Sequence, residues 1–320
     1  MKAAVYYENG PPSVLKYEDV PDPKVFPGGV LIRVEAISIE GGDTLNRLGG
    51  ALMTTPHIVG YQAAGEIIEV GEGVTDLKVG QKVATTNAFG SHAELRVVPA
   101  RVAWPLPRGM DAKIGSVIPV TFGTADDCLF EFGHLKKGET VLIQAGASGV
   151  GVAAIQLAKR AGATVYATAS SKERLEKLKP LGLDHGINYR TQDVLQEVMK
   201  LTGNRGVDVV VDPVGSTLQT SIACLAPRGR VSLVGQAGRA ADNMIDPRPL
   251  MAGNKSVTGV FLGAEIAMDR AHNNIQRLID DVGKGELKIV IDKTFPLREA
   301  AAAHAYIESR AAVGRVLLIP

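Results

Sequence analysis

Residues 140–168 read TVLIQAGASGVGVAAIQLAKRAGATVYAT. The stretch opens on a continuous apolar run, Thr140–Gln144, as expected for a strand buried on both faces of a sheet. It turns through Ala145-Gly146-Ala147-Ser148-Gly149-Val150-Gly151 and enters a helix over 149–160, with Lys159 and Arg160 in the last turn and Gly162 closing it. A second strand follows at 164–168. Strand, glycine turn, helix and strand are the context that a dinucleotide fingerprint requires. The turn must be tight, the backbone must approach a pyrophosphate, and helix N–H groups must face the anion. The spacing departs from G-x-G-x-x-G: Ser148 stands where the second glycine would be, and Gly149 supplies the small residue one step later. The turn, with Ser148 in it, is the expected phosphate site; the alternative is a tight connection and nothing more.

The end of the second strand chooses the cofactor. NAD sites place Asp or Glu about 20 residues after the glycines to bond the ribose 2′-hydroxyl. Here the strand runs into Ala169-Ser170-Ser171-Lys172-Glu173-Arg174. Hydroxyls and cations suit a 2′-phosphate, so Ser170, Ser171, Lys172 and Arg174 point to NADPH. The competing reading makes Ser170 only a helix cap and leaves Lys172 and Arg174 in solvent. Ser170 and Glu173 fit a capping box opening a helix with Leu175, Leu178 and Leu181. A further helix is expected over 191–201, with buried strands at 207–212 (VDVVVD) and 230–235 (RVSLVG). Strands alternating with helices predict an α/β fold with a parallel, doubly wound sheet.

The flanks have a different texture. Residues 1 to about 118 read as short β segments at 3–7, 30–37 (VLIRVEAI, period two), 65–70 and 81–84, with a Pro/Gly-rich loop at 21–29. After Gly259 come a helix over 265–283, a short strand at 287–291, an Ala-rich helix over 298–310 and a strand at 315–319. These last elements are too few for a domain and are expected to complete the N-terminal one. The predicted division is 1–119, 120–259 and 260–320, with the middle part inserted.

Composition narrows the function classes. The chain has 320 residues, 45% hydrophobic and 22% charged, enough for about two domains with substantial cores. Lys and Arg number 35 against 34 Asp and Glu, so no basic field exists to hold a nucleic acid. No stretch of ~18 residues is apolar and free of charge, so no membrane span is expected. The N-terminus, MKAAVYYENG, has no apolar core of a signal peptide, and the expected address is the cytoplasm. Cys128 and Cys224, the only cysteines, exclude a disulfide scaffold and a four-cysteine zinc site.

Four stretches carry a family resemblance: MKAAVYYENGPPSVLKYEDVPDP at the start, PHIVGYQAAGEIIEVGEGVTDLKVGQKV at 56–83, residues 141–189, and the tail FPLREAAAAHAYIESRAAVGRVLLIP. Across essentially its whole length the chain resembles the medium-chain dehydrogenase/reductase superfamily, and most closely its zinc-free quinone oxidoreductase (zeta-crystallin-like) branch. That resemblance implies a Rossmann domain inserted into a GroES-like, β-rich catalytic domain, with a cleft between them. It implies that Gly149, Val150 and Gly151 hold the pyrophosphate and that Ser170, Arg174 and Tyr189 meet the 2′-phosphate. It places Val234, Gly235, Gln236, Val260, Phe261 and Leu262 beside the nicotinamide ribose, Thr124 close to the nicotinamide, and Arg315 where the tail returns to the cofactor. It also implies a homodimer joined edge to edge through Rossmann sheets, for which SVTGVFL at 256–262 is the local support.

Departures from the family set the chemistry. Where zinc alcohol dehydrogenases carry a cysteine loop and a GHE motif, this chain has Ser38-Ile39-Glu40-Gly41-Gly42-Asp43 and Gly60-Tyr61-Gln62. The six histidines are scattered without ligand spacing, so no catalytic metal is expected. Glu40 and Asp43 are candidate acid–base groups, although Asp43 is equally suited to ordering the loop and capping a helix from Thr44. Tyr61 is the nearest hydroxyl for a substrate oxygen. Without a Lewis acid, the accessible chemistry is hydride transfer from NADPH to an electron-poor π system. The expectation is a quinone reductase acting on a small molecule. The alternatives are an alkene reductase (enone, haloacrylate or enoyl thioester) and a non-catalytic NADPH-binding protein.

Overall fold

The computed structural model describes residues 1–239 and 244–320. The chain forms two compact units. One is Met1–Gly123 together with Gly263–Pro320; the other is Thr124–Leu262.

The first unit begins with β1 (Lys2–Tyr6), β2 (Lys16–Asp19), β3 (Gly29–Ser38), α1 (Gly41–Gly49), β4 (His57–Ile58), β5 (Gln62–Val70), β6 (Lys82–Thr86), β7 (Leu95–Pro99) and β8 (Ala103–Pro105). The alternating GVLIRVEAIS of β3 buries most of its length and pairs antiparallel with β5, from Val30 opposite Val70 to Ser38 opposite Gln62. That register brings the loop after Ser38 to the start of β5, where Tyr61 and Gln62 lie. Two short helices follow, α2 (Ala112–Gly115) and α3 (Ile118–Asp126), in a region whose first residues read as β. The sequence IPVTFGTAD has no polar face and so no 3.6-residue period; Ile118, Thr121 and Phe122 are all buried, as expected of a helix apolar on every side.

The second unit runs through β9 (Thr140–Ile143), α4 (Gly149–Arg160), β10 (Thr164–Ala169), α5 (Lys172–Leu178), β11 (His185–Asn188), α6 (Val194–Leu201), β12 (Val207–Asp212), α7 (Leu218–Ala223), β13 (Leu225–Leu233), α8 (Arg248–Gly253) and β14 (Ser256–Gly259). Its six strands stand in the order β11-β10-β9-β12-β13-β14, each pair parallel. This is the doubly wound 3-2-1-4-5-6 order, whose switch point lies between its first and fourth strands. Leu142, Val210, Val231, Ile187 and Val198 pack on one side of it as a continuous core.

The chain then returns to the first unit with α9 (Asp269–Gly283), β15 (Ile291–Pro296), α10 (Ala300–Glu308) and β16 (Arg315–Ile319). β16 pairs antiparallel with β3, Leu317 opposite Ser38, so the tail completes the seven-stranded sheet begun by the N-terminal half. Ile37, Val316, Leu318, Phe295 and Ala303 form its core with Tyr6 and Val59. Each such aliphatic side chain contributes roughly 1.5–3 kcal/mol on burial.

Three local expectations are corrected. The strand expected at 287–291 lies at Ile291–Pro296: the apolar residues before it pack as a connection, while the strand carries exposed Asp292, Lys293 and Thr294 at the sheet edge. The helix expected from 265 starts at Asp269. The cap of α5 is Ser171, not Ser170; its hydroxyl accepts from the Arg174 amide at 3.4 Å, and Ser170 stays in the link after β10.

Candidate active site

The glycine turn of the second unit leads into a helix N-terminus, where backbone donors gather. Ser148 caps α4, its Oγ accepting the Gly151 amide at 3.1 Å. No hydrogen bond engages the amides of Gly149 and Val150 among the described residues, so two donors face outward at a helix N-terminus. Gly151 is required by packing: a Cβ there would lie 2.6 Å from the Ala145 carbonyl oxygen and 2.7 Å from Gly146 Cα.

At the end of β10 the serines divide their work. Ser171 is committed to the cap, while the Ser170 hydroxyl has no partner among the described residues. Lys172 is exposed, Arg174 half-buried and Tyr189, just past β11, exposed. No carboxylate stands at the strand tip; Glu173, the nearest, is held below the usual range by its hydrogen bond to Ser171. Hydroxyl, lysine and arginine without an acid fit a phosphate better than a ribose hydroxyl. Elsewhere in this unit Thr124 is buried in α3, Val234 and Gly235 follow β13 half-buried with Gln236 exposed, and Phe261 is exposed between buried Val260 and Leu262.

The first unit gathers a polar cluster around the start of β5. Glu40 caps α1, and Asp43, three residues on, accepts the Glu40 amide at 2.8 Å and the Tyr61 amide at 3.2 Å. Glu40 accepts from Gln62, from the Arg315 guanidinium and, at 3.3 Å, from Thr121. Gln62 in turn accepts the Val120 amide at 3.0 Å. Both carboxyl groups therefore spend their lone pairs on holding the chain. These bonds order the loop and the start of α1, as the alternative reading of Asp43 expects. Burial pushes both upward, Asp43 to about 8, against the pull of those donors and of Arg315. Arg315, expected at the cofactor, places its described hydrogen bonds on Ser38 Oγ at 3.0 Å, the Ile39 carbonyl and Glu40.

Tyr61 is the exception in this cluster. Its hydroxyl accepts from Asn46 Nδ2 at 2.9 Å, and nothing among the described residues accepts its proton. Burial, with the nearby Asp43 adding to it, pushes the phenol up to about 12, so it remains a donor at neutral pH. Two features that the sequence did not single out hold it. Gly42 lets the ring lie against α1, since a Cβ there would meet the ring at 2.4 Å. Arg96, wholly buried on β7, donates to the carbonyls of Tyr61 at 2.7 Å and Phe89 at 3.2 Å and so closes the loop behind the tyrosine. The usable signal for Arg96 was an arginine at a buried alternate position of a strand.

Known proteins match both units. Residues 26–108 match the family described as alcohol dehydrogenase GroES-like domain, and residues 149–282 the family described as zinc-binding dehydrogenase. A 2-haloacrylate reductase of a Burkholderia species is 36% identical over 99% of this chain and 98% of its own length. A quinone oxidoreductase of Pseudomonas aeruginosa is 32% identical over 97% of each chain. The chain belongs to the medium-chain dehydrogenase/reductase superfamily. It falls in the quinone oxidoreductase branch and is an oxidoreductase. The crystal structure of Escherichia coli quinone oxidoreductase complexed with NADPH superposes with a TM-score of 0.95, at 28% identity and full coverage of both chains.

The metal named in the second family description does not fit these residues. Tyr61 and Gln62 stand where the GHE motif has His and Glu, and the carboxylate that could have turned to a metal, Glu40, is paired with Arg315. Among the described residues no three His, Cys, Asp or Glu side chains converge as a ligand set. Nor is any helix among them long and apolar enough to cross a membrane.

Proposed function

We propose that the protein is an NADPH-dependent, zinc-independent reductase of small, uncharged, electron-poor acceptors, with quinones the first candidates. NADPH supplies a hydride; the protein supplies orientation, a dry environment and a hydrogen bond to the acceptor oxygen. Gly149 and Val150 hold the pyrophosphate through their amides, and Ser170, Lys172, Arg174 and Tyr189 take the 2′-phosphate. Thr124, Val234, Gly235, Gln236, Val260, Phe261 and Leu262 line the nicotinamide end.

The observation that carries the reading is the Tyr61 hydroxyl, a phenol with an uncommitted proton, fixed by Asn46. It polarises a carbonyl or quinone oxygen as negative charge develops there. The three buried arginines of this unit already have partners. Arg47 pairs with Glu308 at 2.5 Å, Arg315 with Glu40, and Arg96 with backbone carbonyls. A carboxylate substrate would find only a neutral donor here. A matched pair tests this directly: the methyl ester of 2-chloroacrylate is expected to be reduced faster than the free acid. The opposite order would favour the second reading, an alkene reductase for unsaturated acids, which the 36% identical 2-haloacrylate reductase supports.

Tyr61→Phe is expected to lower the catalytic constant threefold to thirtyfold with NADPH affinity unchanged. Positioned donors of this kind reach ~10²–10³ in rate when fully desolvated, and water substitutes in part for a lost phenol. Steady-state kinetics with a quinone check it, and an unchanged catalytic constant would retire the contact. Elemental analysis is expected to find no stoichiometric zinc, with activity retained in chelator; about one tightly held zinc per chain would refute it.

The reading includes a cytoplasmic homodimer. Both cysteines are free and buried, as in a reducing compartment. β14 is the last strand of its sheet, with exposed Met251 and Phe261 near it in sequence, and such an edge invites pairing with a second copy. Light scattering at micromolar concentration is expected to give about twice the mass of one chain; a monomer mass would sink this.

A further inference from the structure

A chain of buried hydrogen bonds runs beneath the glycine turn, across the ends of three adjacent strands. The Ala145 amide donates to Thr168 Oγ1 at 3.0 Å. The Thr168 hydroxyl, its acceptor side used, donates to Gln144 Oε1 at 2.9 Å. The same amide of Gln144 donates through Nε2 to Ser221 Oγ at 3.2 Å, and Ser221 donates to Asp212 Oδ2 at 2.7 Å. Every donor points the same way, toward one carboxylate. All four side chains are buried, Asp212 and Ser221 completely. Asp212 also accepts the amides of Val214 at 2.9 Å and Gly215 at 3.0 Å and the Thr217 hydroxyl at 2.8 Å, so it anchors the loop after β12 as well.

The turn needs such an anchor. Ala145 sits at φ +50°, the left-handed region that an alanine adopts at a cost. Removing the bond to its amide leaves a strained residue free to relax toward the ordinary region, and the helix N-terminus that follows moves with it. A directional chain ending on a charge strengthens each of its links, because each donor is polarised by the next. The apolar alternative at these positions would pack as well but would not fix the amide of Ala145.

We infer that Thr168, Gln144, Ser221 and Asp212 act as positioning residues for the cofactor, locking the strained turn so that the amides of Gly149 and Val150 meet the pyrophosphate. This rests on NADPH being the cofactor, as proposed above. The relay acts on the part of the nucleotide common to NADPH and NADH, not on the 2′-phosphate.

The test uses purified full-length protein and calorimetric binding of NADPH, NADH and adenosine 2′-monophosphate, which has the 2′-phosphate and no pyrophosphate. Thr168→Val keeps the shape and removes the hydroxyl; Thr168→Ser keeps the hydroxyl. Thr168→Val is expected to weaken NADPH and NADH together by about tenfold and leave adenosine 2′-monophosphate unchanged, and Thr168→Ser to restore binding. Ser221→Ala, farther along the relay, is expected to give the same pattern more weakly, and it serves if Thr168→Val does not fold. Unchanged NADPH affinity in a folded variant, equal loss for adenosine 2′-monophosphate, or no recovery in Thr168→Ser would overturn the relay. Wild-type protein that fails to bind NADPH would instead overturn the cofactor assignment, and the relay's role with it.

Discussion

Gly151→Ala is expected to cut the affinity for NADPH and NADH at least a hundredfold. The added Cβ would stand 2.6 Å from the Ala145 carbonyl oxygen and 2.7 Å from both Gly146 Cα and its carbonyl oxygen. All three are backbone atoms, so no side chain can swing away. The turn must open, and opening it draws the amides of Gly149 and Val150 off the pyrophosphate. Losing two charge-assisted hydrogen bonds at about 1.5–3 kcal/mol each corresponds to a hundredfold or more in binding. Overpacking costs the folded state a further 1–3 kcal/mol or so. Calorimetry and a thermal melt read the two effects separately. A folded variant that binds both nucleotides normally would show that the turn is not the phosphate site.

Arg174→Ala is expected to weaken NADPH tenfold to a hundredfold and leave NADH nearly untouched. The arginine lies in the first turn of α5, three residues after the capping Ser171 and near the uncommitted Ser170 hydroxyl in sequence. No acid at the end of β10 offers itself to a ribose hydroxyl, so discrimination falls to charge on the 2′-phosphate. One such contact is worth about 1.5–3 kcal/mol. Titrating both nucleotides against wild type and variant gives the ratio directly. Equal weakening of the two would mean that Arg174 does not read the phosphate.

The two cases differ in how far the sequence alone could go. The turn was legible because its parts are local: an apolar strand, a glycine-rich turn, a serine at the cap and a helix all fall within residues 140–160. The parallel sheet followed from repetition of that pattern. The polar cluster around Tyr61 was only half legible. Glu40 and Asp43 were visible as carboxylates in a loop, which suggests acid–base chemistry. The partners of Glu40 come from the pairing of β3 with β5 and of β16 with β3, which brings Gln62 and Arg315 to it. Those contacts span 22 and 275 positions and leave no local trace. The same holds for Arg96, whose partners lie on β6 and on two loops, and for Asn46, which reads as one more polar residue of a helix until Tyr61 is set against it. Helix α3 was missed for another reason: a segment apolar on all sides has no period to detect. The serine at the cap of α5 was off by one because two serines stand side by side and only backbone dihedrals separate them.

Hydride transfer from NADPH to an uncharged acceptor without a metal is the central proposal. The most direct measurement follows NADPH absorbance with chelator-treated protein and a panel of neutral quinones, neutral enones and 2-haloacrylates, repeated with NADH. The account predicts multiple turnovers with neutral acceptors, quinones among them, and much slower oxidation of NADH at equal concentration. NADPH that binds but is oxidised by no acceptor, or activity that appears only when zinc is restored, would contradict it.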